Sequence, residues 1–231
     1  MKNQEFDFKG FTLNGFVMLF AIVAALVISG LLLGFGIEYE NAFKIVTGCV
    51  LLLAAIVAMC GFIMIEPNEA RVMLFFGKYH GTFKKVGYSW VNPFYSVKKL
   101  SLRARNIDAE PIKVNDKQGN PVMIGMVLVW KLKDTYKAMF EIDAQTMASN
   151  AASVGVNVNS MMRAFENFVK IQGDAALRQM AGQYAYDNTD NKGELTLRSG
   201  GDEINEVLKS ELEERLTMAG IEVVEARINY L

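Results

Sequence analysis

Two runs without a charged side chain, Phe16–Ile37 and Ile45–Ile65, constrain this chain more than anything else in it. They are 22 and 21 residues long. At about 1.5 Å of rise per residue, each is long enough as a helix to cross a hydrocarbon core about 30 Å thick. The joint between them, Glu38–Lys44, is short and polar, so the pair reads as an antiparallel hairpin with both ends on one side of a bilayer. A cleaved leader fits less well. The first run is too long for a signal-peptide core, its flank carries Glu5 and Asp7 beside Lys2 and Lys9, and no small-residue cleavage site precedes Glu38. Small residues recur in both runs: Ala21, Ala25, Gly30 and Gly34 in the first, Gly48, Ala54, Ala58 and Gly61 in the second. Gly30 and Gly34 have the small-xxx-small spacing, and packing between the two spans is its first expected use. No Asp, Glu, Lys or Arg lies inside either run, which argues against an ion or proton path there.

Charge separates this part from the rest. Of 24 Lys+Arg and 25 Asp+Glu, residues 1–65 hold seven, and residues 66–231 hold 21 of each sign, an ordinary soluble mixture. A purely cytosolic enzyme and a many-span transporter are both excluded by that division. Lys and Arg near the outer flanks (Lys2, Lys9, Arg71, Lys78, Lys84, Lys85) against Lys44 in the joint predict both termini in the cytoplasm. Two cysteines, Cys49 and Cys60, sit in an apolar run eleven residues apart, about 16 Å along a helix, so no disulfide framework is expected. A single histidine, His80, rules out a His-rich metal site.

Residues 70–107 contain eight basic side chains and no acid: Arg71, Lys78, Lys84, Lys85, Lys98, Lys99, Arg103 and Arg105. Aromatics are interleaved, among them Phe75, Phe76, Tyr79, Phe83, Tyr88, Trp90, Phe94 and Tyr95. In isolation this pattern suits nucleic acid. Directly after a membrane span it suits anionic headgroups, with aromatic rings at the interface. The candidate membrane-surface residues are Arg71, Lys78, Lys84, Lys85, Trp90, Phe94, Lys98 and Lys99; for any one ring, burial in the core is the plainer expectation. Residues 66–140 carry a net charge of +7 and residues 141–231 a net −7, the polarity an anionic leaflet would orient.

The soluble part reads as α+β. Arg71–Phe76 is a strand ending in a glycine turn, and Lys99–Val114 alternates with a slip near Asn106 and Ile107 that indicates a bulge. Asn115–Asn120 is a turn cluster. Val122, Ile124, Met126, Leu128, Trp130 and Leu132 mark one face of a long strand; Met123, Val127 and Val129 make its other face apolar too, so a central strand covered on both sides is expected. Asp134–Ile142 and Ser160–Gln183 read as helices, with Gly173 as a potential break. Asp202–Ala219 is amphipathic through Ile204, Val207, Leu208, Leu212 and Leu216, with Asp202 and Gly220 as expected caps. Ile221–Leu231 closes as a strand.

Chemistry is hard to find. No P-loop, GxGxxG or GxSxG spacing occurs. Ser96 and Lys99 have the spacing of a Ser–Lys dyad, and a membrane-bound serine peptidase is the enzymatic alternative they offer. His80 reads as a turn residue, and Asp187, Asp190 and Glu194 as a solvated acidic loop without calcium-loop spacing. No cofactor, metal or catalytic residue is expected.

The strings themselves are more specific. Glu66-Pro67-Asn68-Glu69-Ala70-Arg71-Val72, Phe76-Gly77-Lys78-Tyr79-x-Gly81-Thr82 and Gly87-Tyr88-x-Trp90-Val91-Asn92-Pro93-Phe94 resemble the opening of the SPFH (band 7) family, the stomatin, prohibitin, flotillin and HflK/C-like group. Val114-Asn115-Asp116-x-x-Gly119-Asn120-Pro121-Val122 with Val129-Trp130 resembles its central hairpin, and Asp202–Leu216 with Gly220–Ile228 its last helix and strand. The resemblance implies an SPFH fold over 66–231, with a twisted, mostly antiparallel sheet and packed helices, after a tail and two-helix hairpin over 1–65 (helices about 16–37 and 45–65). Residues 144–164 look like an insertion. It further implies a non-enzymatic, oligomeric membrane scaffold that organises microdomains and cages or regulates membrane proteins, proteases among them. The two-span leader is similar to a bacterial subgroup, which implies an inner-membrane location. Partners implied are a bilayer with anionic headgroups, further copies of the chain and membrane-protein clients, with no nucleic acid. The family usually continues into a helical coiled coil after its last strand, a stretch this sequence, ending at Leu231, does not include.

Overall fold

The structure is a computed structural model; it describes residues 4–141, 158–187 and 195–231 and divides into two compact units. Most of the expected insertion at 144–164 lies outside the described residues. One unit is Phe6–Lys99; the other is Leu100–Leu231 with the chain start up to Glu5.

In the first unit, strand β1 (Thr12–Asn14) leads straight into helix α1 (Gly15–Glu38), and a tight joint leads into helix α2 (Ala42–Met59). Asn14 and Asn41 cap the two helices by accepting the Phe16 and Lys44 N–H groups. Few side chains of either helix are buried, and most of their large apolar groups face outward, as expected of a hairpin solvated by lipid. Between the helices, Ser29 donates its hydroxyl to the Gly48 carbonyl at 2.8 Å, Gly36 faces Ile45, and Gly48 faces Leu33. Gly30 and Gly34, expected between the spans, instead face open space. The 3.6-residue period carries Ser29 and Gly36, two turns apart, onto the inner face and leaves Gly30 and Gly34 off it.

The second apolar run does not stay helical. α2 ends at Met59, and Phe62–Ile65 is strand β2. The break falls at Cys60-Gly61, where a Gly61 side chain would meet the Val91 carbonyl at 2.3 Å. Hydropathy alone does not distinguish four apolar strand residues from another helical turn. Strands β3 (Glu69–Phe75), β4 (Lys78–Phe83), β5 (Gly87–Val91) and β6 (Tyr95–Ser101) follow. They form two three-stranded sheets, ordered β1-β5-β2 and β4-β3-β6. Ile65, Met73, Phe83 and Val91 make the core between them, with Phe8, Ile63, Tyr95 and Val97 packed against it.

The second unit is one antiparallel sheet ordered β7-β8-β9, built from β7 (Arg105–Asn115), β8 (Pro121–Leu132) and β9 (Ile221–Tyr230), with helices α3 (Thr135–Phe140), α4 (Val158–Gln183) and α5 (Gly201–Thr217). The register slip in β7 falls between Ala109 and Ile112, around Pro111, a little after the expected position. Val122, Ile124, Met126, Leu128, Trp130 and Leu132 are all buried, as are Ile204, Leu208, Leu212 and Leu216 of α5. The other face of β8 is not closed: Met123 is exposed, and Val127 and Val129 are half-buried. α4 runs unbroken through Gly173, whose lack of a side chain leaves room for the Met126 methyl. Asp202 does not cap α5; it sits in the first turn, where its charge complements the helix dipole.

Candidate membrane-surface site

β5 is the element that places the site. Both ends of the hairpin are tied to it. β1, just before α1, pairs with it through Leu13 and Trp90, and β2, just after α2, pairs with it through Phe62 and Trp90 and through Met64 and Tyr88. Tyr88 lies on the start of α1: a Gly15 side chain would meet its ring at 2.3 Å, and Phe16 contacts it edge-on at 5.3 Å. Trp90 lies at the end of α2, where its indole N–H donates to the Ala58 carbonyl at 2.7 Å, a last-turn acceptor that also takes the Gly61 N–H at 3.2 Å. Tyr88 and Trp90 are two residues apart, about 7 Å along a strand, close to the 8–10 Å between packed helix axes. β5 therefore runs across the open end of the hairpin, one residue on each helix end.

The pairing register also sorts the faces. Residues directly opposite each other share a face. Leu13, Phe62, Met64, Tyr88 and Trp90 share the face toward the helices; Ile63, Ile65, Ser89 and Val91 turn into the unit's core. Phe62 and Tyr88 stack with ring centres 5.3 Å apart. Met64 is apolar yet 62% exposed on the helix-side face, and Val86 and Phe94, just beyond either end of β5, are 54% and 61% exposed. This is an apolar rim with two indole or phenol groups, the composition that partitions to a lipid interface.

The expected surface residues divide. Lys84 and Lys85 are exposed and lead directly into β5; Trp90 lies on it, and Phe94 follows it in a turn where Asn92 Oδ1 accepts the Phe94 N–H at 3.0 Å. These four lie on β5 or just beyond its two ends. Lys78 opens β4, about 20 Å of strand from Lys84. Arg71 Nη2 donates to the Met64 carbonyl at 2.9 Å and ties β3 to β2. Lys98 is half-buried on β6, and Lys99 is ion-paired with Glu69. Burial raises the Glu69 pKa, but the hydrogen bonds from Lys99 and the Glu66 N–H, with the Lys99 and Arg71 charges, outweigh it and hold the carboxyl below its ordinary value. Sequence reasoning missed Phe62 and Met64, since a continuous apolar run hides their alternation, and it did not separate Tyr88 from the core aromatics. The Tyr88/Trp90 spacing was the available signal. Of the other rings, Phe83 is buried, while Phe75, Tyr95 and His80 contact one another.

The alternative chemistry finds no geometry. Ser96 and Lys99 are three apart on β6, so they point to opposite faces about 10 Å apart along the strand. Asp187 accepts from Arg198 at 2.9 Å, and Asp190 and Glu194 lie outside the described residues. Among the described residues no group of three His, Cys, Asp or Glu side chains is placed to hold a metal ion.

A family model, that of the SPFH domain / Band 7 family, matches residues 63–230. The chain belongs to the SPFH domain / Band 7 family. No curated protein matches it. SPFH proteins are generally not enzymes and are often membrane scaffolds, and two helices here are long and apolar enough to anchor one. The opening SPFH string now has a physical reading. Glu66-Pro67-Asn68-Glu69 is a turn with Asn68 at φ +59, closed by the Glu69 N–H on the Glu66 carbonyl at 3.2 Å. The Glu69 side chain then accepts the Glu66 N–H and pairs with Lys99, fixing how the chain passes from β2 into β3.

Proposed function

We propose that this protein is a non-enzymatic scaffold of a bacterial inner membrane. The hairpin anchors it, the β1-β5-β2 sheet rests on the anionic cytoplasmic leaflet, and the rest of the SPFH domain stands in the cytoplasm. There it gathers further copies and membrane-protein clients, membrane proteases among the candidates, into organised patches. The observation that carries the membrane part is β5 laid across both helix ends with Tyr88 and Trp90 against them. The scaffold role, the clients and the cytoplasmic side are supported by the family, the positive flanks and the exposed Lys84-Lys85 pair.

The test uses the two tryptophans. Trp130 is buried in the second unit, so Trp130→Phe leaves Trp90 as the only indole. Reconstituted into vesicles with brominated lipids, Trp90 should be quenched most by bromines near the headgroups. Quenching at the bilayer centre only, or none, would overturn the platform. Identification of membrane proteins that co-purify in mild detergent tests the scaffold role.

A further inference from the structure

The two helices of the hairpin are unequal. α1 has 24 residues and α2 has 18, about 36 and 27 Å of helix. Between charged residues the difference grows. The uncharged run of α1, Phe16–Ile37, is 22 residues or about 33 Å, whereas α2 is uncharged only over Ile45–Met59, 15 residues or about 22 Å. The shorter helix cannot wind further at either end. Toward the joint, Glu40 is left-handed at φ +47, the Asn41 N–H donates to the Gly36 carbonyl at 2.9 Å, and the Asn41 side chain caps the first turn. At the open end, the Gly61 carbonyl accepts the Val91 N–H at 2.9 Å, so the chain is already committed to β2. Each limit also carries a group that favours the interface. Lys44 lies in the first turn with its ammonium 5.6 Å from the Tyr39 ring centre, and the Trp90 indole sits on Ala58. Ala58 is 14 positions after Lys44, about 21 Å of rise.

We propose that the hairpin selects thin bilayers and gathers phospholipids with short acyl chains around it. This rests on the reading that the hairpin spans a bilayer with Trp90 at headgroup level. A helix longer than the hydrocarbon core fits by tilting, but a helix that is too short has no such adjustment: the lipid thins around it, or its flanking residues snorkel. The shorter helix therefore sets the thickness. Tilting the packed pair accommodates α1 in a thinner bilayer, whereas no tilt lengthens α2. Nor can α2 slide along α1, since the Ser29 hydroxyl holds the Gly48 carbonyl and Gly36 seats Ile45. Against an ordinary core of about 30 Å, the span from Lys44 to Ala58 falls short, and the Lys44 stem, already directed at Tyr39, makes up only part of the difference. β2 adds no depth, because its pairing with β5 lays it beside the strand that crosses both helix ends.

The test uses the whole chain with Trp130→Phe, reconstituted in fluid bilayers of one headgroup composition and increasing chain length: myristoleoyl, palmitoleoyl, oleoyl, eicosenoyl and erucoyl. Each lipid competes with a lipid brominated near its headgroup, and the quenching of Trp90 reads which of the two surrounds the hairpin. Relative binding should be highest for myristoleoyl or palmitoleoyl chains and at least about twofold lower for erucoyl chains. Lys44→Leu extends the uncharged run of α2 back to Ala42 and should move the preference toward longer chains. Glu38→Leu extends α1, which is already the longer helix, and should move nothing. A flat series, a preference for eicosenoyl or erucoyl chains, or an equal shift from Glu38→Leu and Lys44→Leu overturns the proposal. No quenching in any lipid would overturn the anchoring and the proposal together; quenching without a chain-length preference would overturn the proposal alone.

Discussion

Asp116 is a buried carboxylate, and its partners explain why it is tolerated. Oδ1 accepts the Gln118 and Asn120 N–H groups at 2.9 and 2.7 Å, and Oδ2 accepts the Asn120 amide at 3.1 Å and the Tyr186 N–H at 3.0 Å. Burial raises its pKa, but the donors from Tyr186, Asn120 and Gln118 together outweigh it and hold it below the ordinary 3.8. A depressed carboxyl pKa stabilises the fold above the unfolded value and loses that contribution as pH falls through the folded one. The melting temperature of the wild-type protein should exceed that of Asp116→Asn at pH 6–7, and the gap should narrow below about pH 4; a gap independent of pH would mean the charge is irrelevant. The turn was legible in the sequence as a cluster of Asn, Asp and Gly. Its tie to Tyr186 was not, because nothing local marks a backbone donor seventy residues away. Gly220 shows the reverse case. It was legible as a helix stop, and it has φ +67, but the structure adds that a side chain there would meet the Asp134 carbonyl at 2.3 Å. Gly220→Ala should therefore cost roughly 2–4 kcal/mol in chemical denaturation, from left-handed backbone plus overpacking.

Among the elements, those with a clean period were readable. The α5 stripe at Ile204, Leu208, Leu212 and Leu216 is the buried face, and the β8 alternation from Val122 to Leu132 is the core face. The failures share a cause: where both faces of a segment are apolar, periodicity carries no information. That hid β2 inside a membrane-length run, and it suggested two covers for β8 where one face remains half-open. It also misassigned Gly30 and Gly34, though not Gly48, since in lipid an inner and an outer face look alike in composition. The structure separates them. Gly48→Leu or Gly36→Leu should push the helices apart against Leu33 or Ile45, whereas Gly30→Leu and Gly34→Leu meet open space. Thermal unfolding in detergent should drop for the first pair and stay within experimental error for the second. The opposite ranking would mean that Gly30 and Gly34 form the helix contact.

At the scale of the whole molecule, sequence and structure agree on the order of parts: hairpin, basic stretch, acidic remainder. What the sequence could not supply is which basic residues the fold buries and which it leaves exposed. Counting charges treats Arg71, Lys78, Lys84, Lys85, Lys98 and Lys99 as equivalent. The fold spends Arg71 on the Met64 carbonyl and Lys99 on Glu69, and presents Lys84 and Lys85 at the entrance to β5. On the proposed anchoring the hairpin would stay inserted whatever the surface charge, so membrane attachment by itself is uninformative; the seating of the proposed platform is the quantity to follow. A basic residue near an anionic leaflet contributes about 1 kcal/mol, and the attraction is screened over about 8–10 Å at physiological salt. Lys84→Glu/Lys85→Glu should therefore reduce headgroup-level quenching of Trp90 in anionic vesicles, high salt should reduce it in the wild type, and neutral vesicles should show neither effect. Lys99→Glu should act differently: it places two carboxylates together in a buried site, so it should lower the melting temperature in neutral and anionic lipid alike. If Lys99→Glu instead behaved as Lys84→Glu/Lys85→Glu does, the Glu69 pairing would not be the role of Lys99, and the division of basic residues between fold and lipid would have to be redrawn.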